Sequence, residues 1–187
     1  MSVEHAHSSA SNEHYTPPEI IEAARFTMGG IDLDPASSQL AQTVVKADGW
    51  YGLDHPTETW RDGLSWDWWG NVFLNPPGGR LSPKREGTSS QAALFWKRLV
   101  EAYEDERVEQ AIFIGFNLEI LQTSQTVGYP VSDHRLCFPK KRIAYYREEN
   151  GVLVPGKSPP GASVIVYMGH HVERFREAFG PLGALRL

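Results

Sequence analysis

The stretch from residue 71 to residue 116 constrains the fold of this chain more than any other. Two runs in it, NVFLN (71–75) and QAIFIGF (110–116), are apolar at successive positions rather than alternate ones. That pattern belongs to strands covered on both faces, as in a parallel sheet flanked by helices. Between the runs, Ala92, Phe95, Leu99, Val100 and Tyr103 recur at spacings of three and four from Ser90 to Asp105. This is the stripe of an amphipathic helix. Strand, helix, strand is the unit from which parallel α/β sheets are built.

The flanking sequence extends the alternation. Thr16-Pro17-Pro18-Glu19 reads as a helix start, with Thr16 as N-cap and Glu19 placed for a capping box, and Gly29-Gly30 stops that helix. GIDLD (30–34) reads as a short strand, and Ser37 or Ser38 can cap a second helix across QLAQTVVKA. Residues 49–70 read mostly as loop, and GGRLSPKREGTSS (78–90) as a flexible basic one. A short helix is expected near 117–125. Four further apolar runs, RLCF, RIAYY, GVLV and SVIVYM, are separated by turn residues and suggest a hairpin and antiparallel pairing before a last helix at 171–179. The expected architecture is α/β in three layers, a Rossmann-like sheet that is mostly parallel with a C-terminal antiparallel hairpin. Residues 1–12 read as a polar tail and 13–187 as one domain, since 187 residues suffice for one substantial core.

Composition narrows the function classes. A net charge of −5 argues against a protein that coats nucleic acid non-specifically. Cys137, the only cysteine, excludes an intramolecular disulfide and a multi-cysteine zinc site, and it reads as core. The histidines lack carboxylates at ligand spacing, so no metal is expected. No run approaches the roughly 20 apolar residues of a membrane span, and a cytoplasmic location is expected. Basic residues cluster at Arg80, Lys84 and Arg85, and again from Arg135 to Arg147 with Lys140, Lys141 and Arg142 at the centre. Two such clusters beside one motif point to a polyanion on that side.

That motif is Asn75-Pro76-Pro77, directly after a buried strand. A carboxamide and a backbone carbonyl at a strand end make two adjacent acceptors, and Pro77 contributes no N–H to compete for them. Two fixed acceptors facing one –NH₂ group bind both hydrogens and leave its nitrogen nucleophilic. In a parallel α/β sheet ligands sit at the carboxyl ends of strands, where Asp32/Asp34 and Asn75 are both expected.

Asn-Pro-Pro after an apolar strand resembles the catalytic signature of S-adenosylmethionine-dependent amino-group methyltransferases. HYTPPEIIEAA, DLDPAS, DGLSWDWWGNVFLNPP, AIFIGF and RLCFP…RIAYY…SVIVYM follow, in order, the layout of the phage-type DNA N6-adenine methyltransferase (Dam) family. The resemblance spans roughly residues 13–170. It implies that Tyr15, Thr16 and Pro17 line the methionine part of the cofactor. It places Asp32, Asp34, Pro35, Ala36 and Ser37 in the first-strand motif, with one carboxylate meeting the cofactor ammonium. It sets Asp62 near the cofactor adenine or the target, and makes Asn75, Pro76 and Pro77 the catalytic acceptors. DNA is the implied partner and a phage or prophage the implied source.

Two features depart from the family pattern. DPAS stands where a Gly-x-Gly loop is usual, and Gly78 stands where related enzymes carry an aromatic ring that stacks on the target base. Trp68 or Trp69 is the expected replacement, with Arg80, Lys84, Arg85, Lys140, Lys141 and Arg142 holding the nucleic acid. The same two-acceptor logic suits cytosine N4, an RNA base or a protein glutamine. A non-catalytic relative that binds cofactor or nucleic acid is the reading from another class.

Overall fold

A computed structural model describes residues 14–158 and 161–187, so the expected polar tail lies outside the described residues. Its centre is the unit anticipated from residues 71–116. Strand β3 (Gly70–Leu74) leads through α3 (Gln91–Glu104) to β6 (Val108–Gly115), which pairs parallel to β3. The Ser90 hydroxyl caps α3, accepting from the Ala93 N–H at 3.2 Å, and the helix buries Ala92, Phe95, Trp96, Leu99 and Val100 against one face of the sheet.

β1 (Leu33–Asp34) lies beside β3, and β2 (Gly49–Trp50) beside β1, all parallel. Beyond β6 the sheet turns antiparallel through β10 (Val164–Met168), β7 (Arg135–Pro139) and β11 (Gly183–Arg186). The seven-stranded order is β11-β7-β10-β6-β3-β1-β2. Helices α1 (Pro18–Met28), α2 (Gln42–Val45) and α5 (Val172–Phe179) cover one face; α3 and α4 (Ile120–Thr126) cover the other. The result is a three-layer α/β domain with a mixed sheet, compatible with a Rossmann-like fold.

Several local expectations are corrected. The residue capping α1 is Pro17, with no side-chain cap bond, so Thr16 does not cap the helix. The second helix shrinks to the single turn α2, with Ser38 Oγ accepting from Ala41 N–H just ahead of it. Residues 80–90 are not loose: β4 (Arg80–Arg85) and β5 (Thr88–Ser90) pair as a hairpin, and Glu86 at its tip binds Lys97 of α3 at 2.6 Å. The antiparallel C-terminal hairpin, β8 (Tyr146–Glu149) with β9 (Val152–Pro155), forms a separate two-stranded sheet. RIAYY is therefore a connector rather than a strand, apart from Tyr146. Among the described residues no helix is long and apolar enough to cross a membrane.

The strand order has one consequence for ligands. From β1 the chain moves outward to β2, then returns to place β3 on the other side of β1. That reversal is a topological switch point, and the carboxyl ends of β1 and β3 beside it are where open α/β sheets bind ligands in a crevice.

Candidate active site

Asp34 ends β1 and Asn75 follows the last residue of β3, so both stand at that crevice. Leu33 is in register with Val72, which sets Asn75 two residues beyond the level of Asp34. At the usual strand spacing and rise, their Cα atoms are about 8 Å apart. Strand parity puts Asp34, Phe73 and Asn75 on the same face, the one covered by α1. One small ligand can span the two side chains.

The Asp34 carboxylate is buried, at 3% exposure. It accepts from Gln42 Nε2 at 3.1 Å and from the Ala36 N–H at 3.4 Å, with the Ser37 hydroxyl alongside. No ion pair among the described residues includes it. Burial therefore pushes its pKa up to about 7, the Ser37 and Ala36 hydrogen bonds offsetting only part. The turn after it, Asp34 to Ser37, is clasped by backbone on two sides. Tyr51 N–H donates to the Asp34 carbonyl at 3.0 Å, and Ser37 N–H to the Tyr51 carbonyl at 2.8 Å. A Cβ on Gly52 would fall 1.9 Å from the Ser37 carbonyl oxygen, and one on Gly63 1.9 Å from that of Pro35. Glycine is required at both because the chains approach so closely.

Asn75 is held from the N-terminal segment. Its Nδ2 donates to the His14 carbonyl at 2.7 Å, which orients the amide and leaves Oδ1 as the acceptor end. Pro76 is buried behind it and Pro77 exposed. The same segment is tied to β8 by two backbone bonds between Tyr15 and Tyr146. Thr16 is buried, and its hydroxyl has no hydrogen-bond partner among the described residues. Thr16 follows by two residues the His14 carbonyl that holds the Asn75 amide.

The remaining expected site residues divide. Asp62 lies beside the clasped turn through Gly63, but its carboxylate caps the short helix Gly63–Ser65, accepting from Leu64 N–H at 3.0 Å and Ser65 Oγ at 2.6 Å. Asp32 is at the other end of β1. Its carboxylate accepts the Asn71 N–H at 2.7 Å and pins the start of β3, so of the two carboxylates only Asp34 stands at the carboxyl end of β1. Trp68 and Trp69 are corrected more sharply. Both precede β3, at its amino end, opposite to Asn75. Trp68 is fully buried against Phe95, its indole N–H given to the Gly63 carbonyl at 2.7 Å. Trp69 is exposed but lies against Gly49 and Tyr51.

The basic groups reach the right edge of the sheet. Arg80, Lys84 and Arg85 are exposed on the β4–β5 hairpin that leaves directly from Asn75-Pro76-Pro77. Lys140, Lys141 and Arg142 follow β7, which runs in the sense of β6 and ends at the same edge; Lys141 and Arg142 are exposed. Lys140 is partly committed, donating to the Pro181 carbonyl at 2.8 Å. Arg135, at the start of β7, faces the opposite edge and donates to the Gly169 carbonyl. Cys137 is buried, its thiol pushed up to about 12, as suits a core residue. Comparison with protein-family models, with curated proteins and with solved structures finds no match for this chain, so the chemistry of the site rests on its own residues.

Proposed function

We propose that this chain is an S-adenosylmethionine-dependent methyltransferase acting on the N6 amino group of adenine in DNA. The observation that carries the reading is the Asn75 amide. With Nδ2 held by the His14 carbonyl, Oδ1 is the end left to accept, and the Pro76 carbonyl, one residue on, is the second acceptor in this reading. Such a pair accepts both hydrogens of one amino group and turns its lone pair outward, across the crevice from Asp34. This is electrostatic and orientational preorganisation, needing no general base before the nitrogen attacks.

The residues of the crevice fit the cofactor. Asp34 is a buried carboxylate in no ion pair among the described residues, suited to an ammonium group, with the Ser37 hydroxyl beside it; the reading assigns Tyr15, Thr16, Pro17 and Pro35 to the remaining contacts with the cofactor. S-adenosylmethionine supplies, when bound, a methyl group already activated by a sulfonium sulfur. The exposed cations of the β4–β5 hairpin and of residues 140–142 suit the DNA backbone. Adenine in a duplex has its N6 turned to a pairing partner, so the base must leave the stack to meet Asn75.

The test is transfer of tritiated methyl from S-adenosylmethionine to unmethylated DNA, RNA and protein, followed by identification of the modified nucleoside. Label on adenine N6, lost by at least about 100-fold in Asn75→Ala with cofactor affinity kept, is the expected result. Label on cytosine, RNA or glutamine instead, or equal turnover in Asn75→Ala, overturns it.

A further inference from the structure

Gly78 raises the question of what covers the target, and the neighbouring strand answers it. A Cβ on Gly78 would lie 2.9 Å from Cζ of Phe116 and 3.4 Å from its Cε1. Gly78 has no positive φ that would demand glycine. The position is bare because another ring stands in the space where its side chain would begin. Phe116 follows the last residue of β6, the strand next to β3, so it leaves the sheet at the same edge as Asn75. Strand parity turns it to the α1 face, the face of Asn75 and Asp34.

A second ring faces it. The His14 imidazole lies 6.4 Å from Phe116, centroid to centroid, with the planes opened by 44°, and His14 is the residue whose carbonyl holds the Asn75 amide. Tyr145 closes the floor, buried at 5.4 Å from His14. The backbone of Phe116 is fixed from below. Ser163 Oγ donates to the Phe116 carbonyl at 3.3 Å and is itself hydrogen-bonded to the Tyr145 hydroxyl. Phe116 remains half-buried. Trp68 and Trp69 are excluded by their place at the amino end of β3.

We propose that Phe116 is the stacking residue for a planar aromatic target, in place of a ring at position 78, with His14 as the opposing wall. The inference rests on the reading of Asn75 as the amino-group acceptor and narrows its substrate class. A flat apolar ring beside two acceptors suits the π-face and exocyclic amine of a nucleobase, whereas a glutamine side chain offers no ring to stack.

The test uses the full chain and two readouts. The first is the affinity for a short labelled oligo(dA) strand relative to an abasic strand of equal length, by fluorescence anisotropy; the second is the KM and kcat for methyl transfer to unmethylated DNA. Wild type is expected to prefer oligo(dA) by about 5- to 150-fold, the range of one base–aromatic stack. Phe116→Leu, which keeps apolar volume, should lose that preference while leaving the abasic strand bound as before. Phe116→Tyr should keep it. Gly78→Tyr alone should be defective because two rings compete for one space, and Gly78→Tyr in a Phe116→Ala background should restore the preference. An unchanged preference and KM in Phe116→Leu overturn the inference. A wild type that prefers oligo(dA) yet transfers no methyl overturns the methyltransferase reading and leaves the stacking site standing; no preference in wild type overturns the stacking site.

Discussion

Replacing Asp34 by Asn should stabilise the fold at alkaline pH while removing cofactor binding, and both effects follow from one buried carboxylate. In the folded chain its pKa is raised from 3.8 to about 7, burial being the main cause. The sign follows from linkage. Between about pH 4 and pH 7 the folded state keeps a proton that the unfolded chain has released, so stability falls as pH rises through this window. At 1.36 kcal/mol per unit over about three units, the ionised form costs about 4 kcal/mol above pH 7. Asn has the same shape, keeps an acceptor for the Ala36 N–H, gives up the one for Gln42 Nε2, and cannot ionise. Asp34→Asn should therefore lie below wild type near pH 4 by about 1 kcal/mol, the worth of that hydrogen bond, and gain on it by about 4 kcal/mol between pH 4 and pH 8. For a chain of this length that gain is a rise in melting temperature, relative to wild type, of up to about 8–16 °C. Urea or thermal unfolding of both proteins at several pH values measures it. A variant less stable than wild type at pH 8, or a difference constant with pH, would refute the assignment of the charge cost to Asp34. The functional half uses calorimetry with S-adenosylmethionine. A cationic ligand binds the ionised form, so wild-type affinity should rise about tenfold per pH unit up to pH 7 and then level off. Asp34→Asn should lose that dependence together with most of the affinity. Natural sites keep such costly groups where a ligand needs them.

Other perturbations separate the site from its surroundings. Gly63→Ala puts a methyl 1.9 Å from the Pro35 carbonyl oxygen, so it should destabilise by about 2–4 kcal/mol and weaken cofactor binding, read by unfolding and calorimetry. Trp68→Ala should cost about 3–5 kcal/mol of stability as a buried aromatic deletion, measured by urea unfolding. Trp69→Ala should leave DNA affinity and turnover unchanged, and a loss of base preference there would return the tryptophan to the site. Replacing Lys84, Arg85, Lys141 and Arg142 by Gln should flatten the salt dependence of DNA affinity, by about 0.7–0.9 in slope for each phosphate that is no longer neutralised. An identical slope in that variant would remove these cations from the interface.

How much of the fold and the site is legible in the sequence depends on how local the deciding interactions are. β3, α3 and β6 are readable because their signals, runs of buried apolar residues and a stripe at helical spacing, lie within each segment. The 78–90 stretch is not, because polar residues at that composition suit a loop. What orders it is the Glu86–Lys97 pair and the burial of Thr88, both made with residues elsewhere in the fold. Thr16 likewise carries a good local cap signal, but Pro17 takes the cap position, and the Thr16 hydroxyl has no hydrogen-bond partner among the described residues. The two tryptophans fail as stacking residues for a reason that the sequence contains. Residues just before a strand stand at its amino end, and the five residues of β3 separate Trp68 and Trp69 from Asn75 by roughly 15 Å or more along the strand. The same argument finds the ring that takes their place. In a parallel pair, residues following the last residue of each strand meet at one edge, so the aromatic to seek for an incomplete site after NVFLN is the one that ends QAIFIGF. Within its own segment Phe116 is the end of an apolar run, where core packing explains a phenylalanine well enough. Only the strand order, which makes β6 the neighbour of β3, turns that residue from the end of a core strand into the wall opposite His14.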